Sequence, residues 1–312
     1  MKVKQIAVLG GAGFLGSALV AQLSAAGYAV KVMTRRRESA KHLLLLPTVK
    51  VVQTDVLNTA SLRKELQGCD AVVNLIGILH QSKKISFERM HHQFPKQVAK
   101  LCAELNIPRL LHVSALGVSS NAPSLYLQSK YAGEQAVIKH LGAKATIFRP
   151  SVIFGRGDSF INLFAKLVKL LPVVMLAKPN CRFQPVFVED VVKVMLASLE
   201  DSTSAGKCYE LAGPKVYRLS ELVSVVAQAV GKRPMIVGLN DTLSYMQAFF
   251  MEWLPVKLMT RDNVRSMEVD NVSPQPLPFG IRATPLEAVM TDFLNGQNPR
   301  NQYNQLRVTA GR

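Results

Sequence analysis

Three side chains in this sequence have the types and the order needed to move a proton beside a carbonyl. Tyr126 and Lys130, in YLQSK, are four apart, and on a helix residues four apart share a face. A phenol is a poor acid–base group at neutral pH because its ordinary pKa is about 10. A nearby ammonium favours the phenolate and lowers that value. Ser114 closes the run LLHVS and could hydrogen-bond the same substrate oxygen. Taken alone, Y-x-x-x-K is a common coincidence and reads equally well as a surface pair. Its weight depends on what surrounds it.

Hydride chemistry needs a nucleotide cofactor, and the first segment offers a place for one. VLGGAGFLG sets Gly10, Gly13 and Gly16 in the spacing G-x-x-G-x-x-G, directly after a strand-like run and at the opening of a helix-like one. Glycines there permit a tight turn and close approach of backbone to a pyrophosphate. The helix N-terminus supplies free N–H groups and the positive dipole end. At the end of the next strand, VMTRRRES carries Arg35, Arg36 and Arg37 and no acidic residue before Glu38. A carboxylate there would hold a ribose 2′-hydroxyl and repel a 2′-phosphate. A guanidinium pairs with the phosphate bidentately. The cofactor expected is therefore NADP(H), with a solvated basic turn as the alternative.

The elements that must position these residues alternate. IAVLG (6–10), AVKVMT (29–34), VKVVQT (49–54), DAVVNLIG (70–77), RLLHVSALG (109–117) and ATIFRPSVIFG (145–155) read as strands or strand exits. Between them, 14–27, 60–68, 86–106 and 124–142 read as helices, with a break or kink forced at Pro95. Such alternation predicts an α/β, Rossmann-type, doubly wound parallel sheet. Further on, 160–172, 188–201 and 219–232 read as helices and 208–214 and 234–239 as strands. Thr284, Pro285 and Glu287 predict a capping box for a last helix over 284–294. The expected division is an NADP(H)-binding Rossmann domain over 1–155 and a smaller substrate or partner lobe over 156–312 that shares strands and helices with it.

The bulk numbers narrow the function classes. Hydrophobic residues make up 48% of the 312 and charged residues 19%, a globular balance. Residues 1–150 hold 20 basic and 7 acidic side chains, residues 151–312 hold 18 and 14, and the whole carries +17. That points to an anionic ligand or surface. No zinc spacing or aromatic RNA-binding signature accompanies it, so nucleic acid is not expected. Cys69, Cys102, Cys181 and Cys208 lie far apart and read as free thiols of a reducing compartment. His91 and His92 are adjacent, project differently from a helix, and read as surface or core residues; no metal site is expected. Gln5 to Val30 contains no charge and follows Lys2 and Lys4, which imitates a signal or spanning segment. Gly10, Gly11, Gly13 and Gly16 break the run, so a buried strand, turn and helix are expected, and a cytoplasmic protein.

Together these features resemble the short-chain dehydrogenase/reductase superfamily in its extended or atypical branch. The resemblance covers about residues 1–230 and adds RPSVIFG at 149–155 and QPVFVEDVV at 184–192, similar to the P-x-H-V-x-D-x-A segment of that branch. GAGFLG, HVSALG, YLQSKYAGE, FRPSVIFG, QPVFVEDV and LMTRDNVRSMEVDNV also resemble bacterial relatives of the accessory subunit of respiratory complex I that has this fold. That group binds NADPH and is tied to complex I stability or ubiquinone metabolism. The resemblance implies cofactor contacts at Gly10, Gly13, Phe14, Leu15, Gly16, Thr34, Arg35, Arg36, Asp55, Val56, Asn74, Gly77, Tyr126, Lys130, Pro150 and Val152. It implies a catalytic set of Ser114, Tyr126 and Lys130. The gap of 12 residues from Ser114 to Tyr126 is shorter than in typical sugar epimerases, and Ser151 stands where sugar-nucleotide enzymes often carry Asn.

DTLSYMQAFFMEWLPVKLM (241–259) gathers Met246, Phe249, Phe250, Met251, the only tryptophan, Trp253, and Leu254, with Lys257 and Arg261 nearby. It reads either as a lid helix packed into the core or as a greasy surface for a lipid tail, a membrane interface or a respiratory-complex partner. FAKLVKLLPVVML (164–176) has similar character, with Lys166 and Lys169 on a basic face. Three functions stay open. One is an NADP(H)-binding oxidoreductase for a quinone-like or other lipophilic substrate, cytoplasmic or peripheral on the inner membrane surface. Another is a nucleotide-sugar epimerase or dehydratase. The third is a non-catalytic, cofactor-bound assembly factor for a membrane complex.

Overall fold

The computed structural model describes residues 3–82, 85–253 and 258–294. Leu254 and Lys257 of the aromatic stretch lie outside them, as does Lys2. Strands β1 (Gln5–Leu9), β2 (Ala29–Thr34), β3 (Val49–Gln53), β4 (Ala71–Asn74), β5 (Arg109–Val113) and β6 (Ala145–Pro150) alternate with helices α1 (Phe14–Ala25), α2 (Thr59–Leu66), α3 (Phe94–Glu104) and α4 (Leu125–Leu141). Then follow β7 (Ile153–Phe154), α5 (Ile161–Leu170), β8 (Val173–Leu176), β9 (Arg182–Phe183), β10 (Val186–Phe187) and α6 (Val188–Glu200). Last come β11 (Cys208–Leu211), β12 (Tyr217–Arg218), α7 (Leu219–Ala229), β13 (Met235–Gly238), α8 (Asp241–Met251), α9 (Arg261–Ser266) and α10 (Leu286–Leu294).

Seven strands form one sheet in the order β11-β6-β5-β4-β1-β2-β3, and every pairing in it is parallel. The order reverses between β1 and β4. In doubly wound sheets the crevice for a ligand opens there, at the carboxyl ends of the strands. β1 shows why its run is continuously apolar, because Ile6, Ala7, Val8 and Leu9 are all fully buried. Ile6 and Val8 face Leu19, Leu23 and Val194 on one side, while Ala7 and Leu9 face Leu62, Phe94 and Val98 on the other. The uncharged run 5–30 is thus a strand, a turn, a helix of 12 residues and the start of a second strand. Among the described residues no helix is long and apolar enough to cross a membrane.

The break forced at Pro95 takes an unexpected form. Residues Glu88–Gln93 form a π-helical segment that runs directly into α3, with Pro95 in the first turn. Pro95 has no N–H to offer the carbonyl of His91. That carbonyl faces Gly133 of α4 instead, where a Cβ would sit 1.9 Å from it. Only glycine admits this helix–helix approach.

Two other expectations change. The box at Thr284 does not form with Glu287. The Thr284 N–H donates to Asp190 of α6 at 2.7 Å, and Glu287 instead accepts from Lys215 and Tyr217 at 2.9 and 2.7 Å. Tertiary partners have taken both groups. Residues 173–176, part of the apolar stretch 164–176 and given no element of their own, are a strand paired with β13 in a separate two-stranded parallel sheet. This part of the chain has its own core, centred on Phe164, Val174, Leu222 and Met290.

Candidate functional site

The glycine turn works through its backbone. Gly10 sits at φ +85°, a region that side chains disfavour, and its carbonyl accepts the Gly13 N–H at 3.0 Å. A Cβ on Gly16 would lie 2.2 Å from that carbonyl oxygen and 2.7 Å from Gly11 Cα, so α1 can rest on its own loop only with glycine there. The N-terminus of α1 has no capping side chain and no carboxylate in its first turn, which leaves it suited to phosphate.

A cleft of about 260 Å³ opens over this turn. Gly10, Gly13, Thr34, Arg35, Val56 and Gly77 line it, so three strand ends and the turn converge. Met33, Leu57, Ile76 and Met90 also line it and were not singled out by the sequence. Other expected contacts lie apart. Leu15 and Gly16 belong to the first turn of α1, and Phe14 lines a different cleft with Arg156, Phe187 and Phe293. Arg36 stands beyond the cleft wall, its carbonyl accepting from the Thr34 hydroxyl at 3.0 Å. Asp55 is exposed and accepts the Leu57 N–H at 3.0 Å, shaping the turn that carries Val56.

Ser114 and Lys130 meet at the carboxyl edge of the sheet. Lys130 is buried, and its Nζ donates to the carbonyl of Val113 at 2.8 Å, next to Ser114. The same Nζ lies 3.7 Å from where a Cβ on Gly77 would be. Burial lowers the Lys130 pKa to about 8, partly offset by Glu134, so it remains largely cationic at pH 7. Ser114 is 4% exposed, and its Oγ has no hydrogen-bond partner among the described residues. An orphaned buried hydroxyl costs free energy and suits a ligand oxygen. Pro150 and Val152, at the exit of β6, are joined to neighbours through backbone: the Pro150 carbonyl accepts from Leu116 and that of Val152 from Val186.

Tyr126 lies in the first turn of α4, its ring edge-on to Phe87 and His91 at 5.8 and 5.4 Å between centroids. Here the structure corrects an expectation. The pKa of Tyr126 is not lowered by Lys130. Burial of the phenol pushes it up to about 12, and the lysine's hydrogen bond goes to Val113. The group is therefore a protonated donor at neutral pH.

Four residues with no role in the site assigned from the sequence hold this set in place. The Asp262 carboxylate in α9 accepts the N–H groups of Leu125 and Tyr126 at 2.8 and 3.1 Å, closing the N-terminus of α4 from 136 residues away in the chain. Buried His91 accepts the Ile78 N–H on Nε2 at 3.0 Å, so Nδ1 donates to Ser129 Oγ at 2.9 Å, and Ser129 donates to the Tyr126 carbonyl at 2.7 Å. His112 accepts from the Asn74 amide at 3.2 Å, and its other nitrogen is buried without a partner among the described residues. Burial and the Lys130 charge hold both histidines neutral, with pKa values near 3. Asn271 accepts from Ser151 and from the Val152 N–H at 2.6 and 3.1 Å, fixing the exit of β6. His92, by contrast, pairs with Glu88 at the surface. A Pro four residues after His91 was the only local hint that its backbone is unusual. The other three depend on distant segments.

The aromatic stretch contains α8. It does not bury its large side chains as a lid would, since Phe250 and Trp253 are 64% and 79% exposed.

Comparison with known proteins gives a consistent pattern. A profile of the NAD dependent epimerase/dehydratase family matches residues 6–212. The chain is 36% identical over 291 residues to NADH dehydrogenase [ubiquinone] 1 alpha subcomplex subunit 9, mitochondrial, of Arabidopsis thaliana, covering 87% of this chain and 72% of that one. It is 31% identical to the Mus musculus protein of the same name, covering 92% and 78%. A ceramide reductase of Caulobacter vibrioides is 27% identical, covering 76% and 74%. Among solved structures, a nucleoside-diphosphate-sugar epimerase from Staphylococcus aureus superposes with a TM-score of 0.72 at 14% identity, covering 92% and 99%. At that identity the likeness is one of fold.

Proposed function

The chain belongs to the NAD dependent epimerase/dehydratase family, an extended branch of the short-chain dehydrogenase/reductases, and is a relative of subunit 9 of respiratory complex I; on that premise we propose that it is an NADP(H)-dependent reductase of a lipophilic carbonyl compound, quinone-like or lipid. The observation that carries the reading is the buried Ser114 Oγ, without a partner among the described residues, next to the Val113 carbonyl that holds the Lys130 ammonium.

When bound, the nicotinamide supplies hydride to the carbonyl carbon. Ser114 Oγ would donate to the carbonyl oxygen and orient it. Tyr126, protonated at pH 7, would pass its phenolic proton to that oxygen as it becomes an alcohol. Lys130, still cationic and close to Gly77, would hold the nicotinamide ribose. Gly10, Gly13 and the open N-terminus of α1 would take the pyrophosphate, and Arg35 in the cleft wall the 2′-phosphate. Arg36 would assist from the turn beside it. The relative named ceramide reductase supports a lipophilic substrate.

Cofactor preference is tested by melting the protein with NADPH and with NADH. NADPH should raise Tm more, and changing Arg35 and Arg36 together to Asp should cost about 100-fold in NADPH affinity, one charge-assisted contact being worth about 1.5–3 kcal/mol. Release of tightly held NAD on denaturation would turn the reading to a sugar-nucleotide enzyme.

A second reading follows from the named relatives, which are subunits of a membrane complex. In it the chain is a cofactor-bound component peripheral to the inner membrane, and chemistry is secondary. Tyr126→Phe separates the two. Full rescue of quinone content and respiration in a deletion strain by that variant would leave the second reading standing and remove the first.

A further inference from the structure

Helix α8 is built inside out. At 3.6 residues per turn, Leu243, Met246, Phe249 and Phe250 fall within an arc of about 120°, and Trp253, in the turn that follows the helix, extends it. That arc is the exposed one, with Met246 at 49% and Phe250 and Trp253 higher still. The opposite side buries Ser244 and Ala248 completely. A surface helix of a soluble domain does the reverse. The rings of Phe250 and Trp253 pack edge-on against Phe249 at 5.7 and 6.0 Å, so the arc is a continuous aromatic ridge.

A second apolar face adjoins it. In the β8–β13 pair, Val173 stands opposite Met235 and Met175 opposite Val237. All four side chains are exposed, while the alternate residues Val174 and Leu176 point into the core. The solvent face of such a sheet is ordinarily polar. The Gln247 amide donates to the Met175 carbonyl at 3.1 Å, which joins the strand pair to the edge of the ridge.

The charge around these faces has one sign to spare. Both strands are entered from basic sequence, Lys169 ahead of β8 and Lys232 and Arg233 ahead of β13. Among the described residues, no ion pair involves Lys166, Lys169, Lys232 or Arg233. The acidic groups near α8 are engaged: Asp241 with Lys178 at 2.9 Å, Glu252 with Arg261 at 3.1 Å, and Glu268 with the Tyr245 hydroxyl at 2.5 Å. Exposed aromatics and aliphatics with a cationic rim match the interface of an anionic bilayer. A second copy of this chain would bring like charges together.

We propose that the outer arc of α8 and the outer face of β8–β13 form a single docking surface for an anionic lipid bilayer. It gives a surface to the peripheral association proposed above and does not rest on the chemistry at Tyr126. Trp253, the only tryptophan, reports on it directly.

The test mixes the full chain with vesicles of phosphatidylcholine alone or with phosphatidylglycerol added. Co-sedimentation with the anionic vesicles is expected, with a blue shift of Trp253 emission and quenching by lipids brominated in the acyl chain. Phe250→Asp and Met175→Asp, both at exposed positions, should each weaken binding about tenfold or more while melting as the parent does. The proposal is overturned by absence of sedimentation, by equal binding to pure phosphatidylcholine, or by binding that leaves Trp253 emission unchanged. It is equally overturned by a blue shift that follows protein concentration without vesicles, which would mark pairing of copies. NADPH-induced stabilisation, measured in parallel, decides the cofactor reading separately.

Discussion

Helices α1 and α8 are of similar length and solve opposite problems. α1 buries Leu19, Val20 and Leu23 against the sheet and leaves its bare N-terminus facing the glycine turn. α8 buries Ser244 and Ala248 and turns its largest side chains outward. The first arrangement finishes a core and leaves a helix N-terminus with no side-chain cap over the glycine turn. The second leaves hydrophobic area that only another surface can cover. One helix thus completes the core under the seven-stranded sheet, while the other leaves an apolar face uncovered.

That contrast can be broken at its strongest point first. Gly16→Val forces a Cβ into the Gly10 carbonyl and should cost about 3 kcal/mol by overpacking and abolish NADPH-induced stabilisation. Denaturant melts with and without NADPH check both. Next, Leu19→Ala in α1 should cost about 2–5 kcal/mol, whereas Phe250→Ser in α8 should change stability by no more than about 0.5 kcal/mol. Equal costs in urea unfolding would erase the distinction between the two helices.

A smaller effect tests the polar support of the site. His91 and His112 have folded pKa values near 3 against 6.5 when unfolded. Between those values the unfolded chain binds more protons, so stability falls as pH drops below 6.5 and continues to fall toward 3. At pH 5 each should have removed on the order of 1–2 kcal/mol relative to pH 7. His112→Asn should flatten the slope in urea melts at pH 7, 6 and 5. Smallest of all, Asp262→Ala frees the N–H groups of Leu125 and Tyr126, with a cost of about 1 kcal/mol. Any carbonyl reduction should then lose kcat more than KM, because the acid is loosened and the binding surface is kept.

The readable parts of this molecule were those whose signal is local. Gly10, Gly13 and Gly16 follow a strand and open a helix, and the backbone geometry they permit is contained within nine residues. The alternation of apolar runs and helical periods led to a doubly wound parallel sheet, and the sheet order agrees. The run of arginines ending β2 placed Arg35 in the cleft wall, though not Arg36. Unread were the π segment before Pro95 and the strand at 173–176, where an apolar run of four fits helix or strand equally. The capping box at Thr284 was a sound local pattern that Asp190 and Lys215 outcompeted.

By itself, then, the sequence determined the sheet, the glycine cradle, the identity of the proton-transfer candidates and the presence of a greasy stretch near the C-terminus. Each is decided by periodicity, by glycine's conformational range or by side-chain chemistry over a few residues. Only the tertiary structure decided that Tyr126 is anchored by Asp262, that His91 and His112 are neutral supports, and that Lys130 spends its hydrogen bond on Val113. Only it decided which way α8 faces. Those outcomes depend on groups brought together from 17 to 136 residues apart in the chain, where burial and competing partners set the energies.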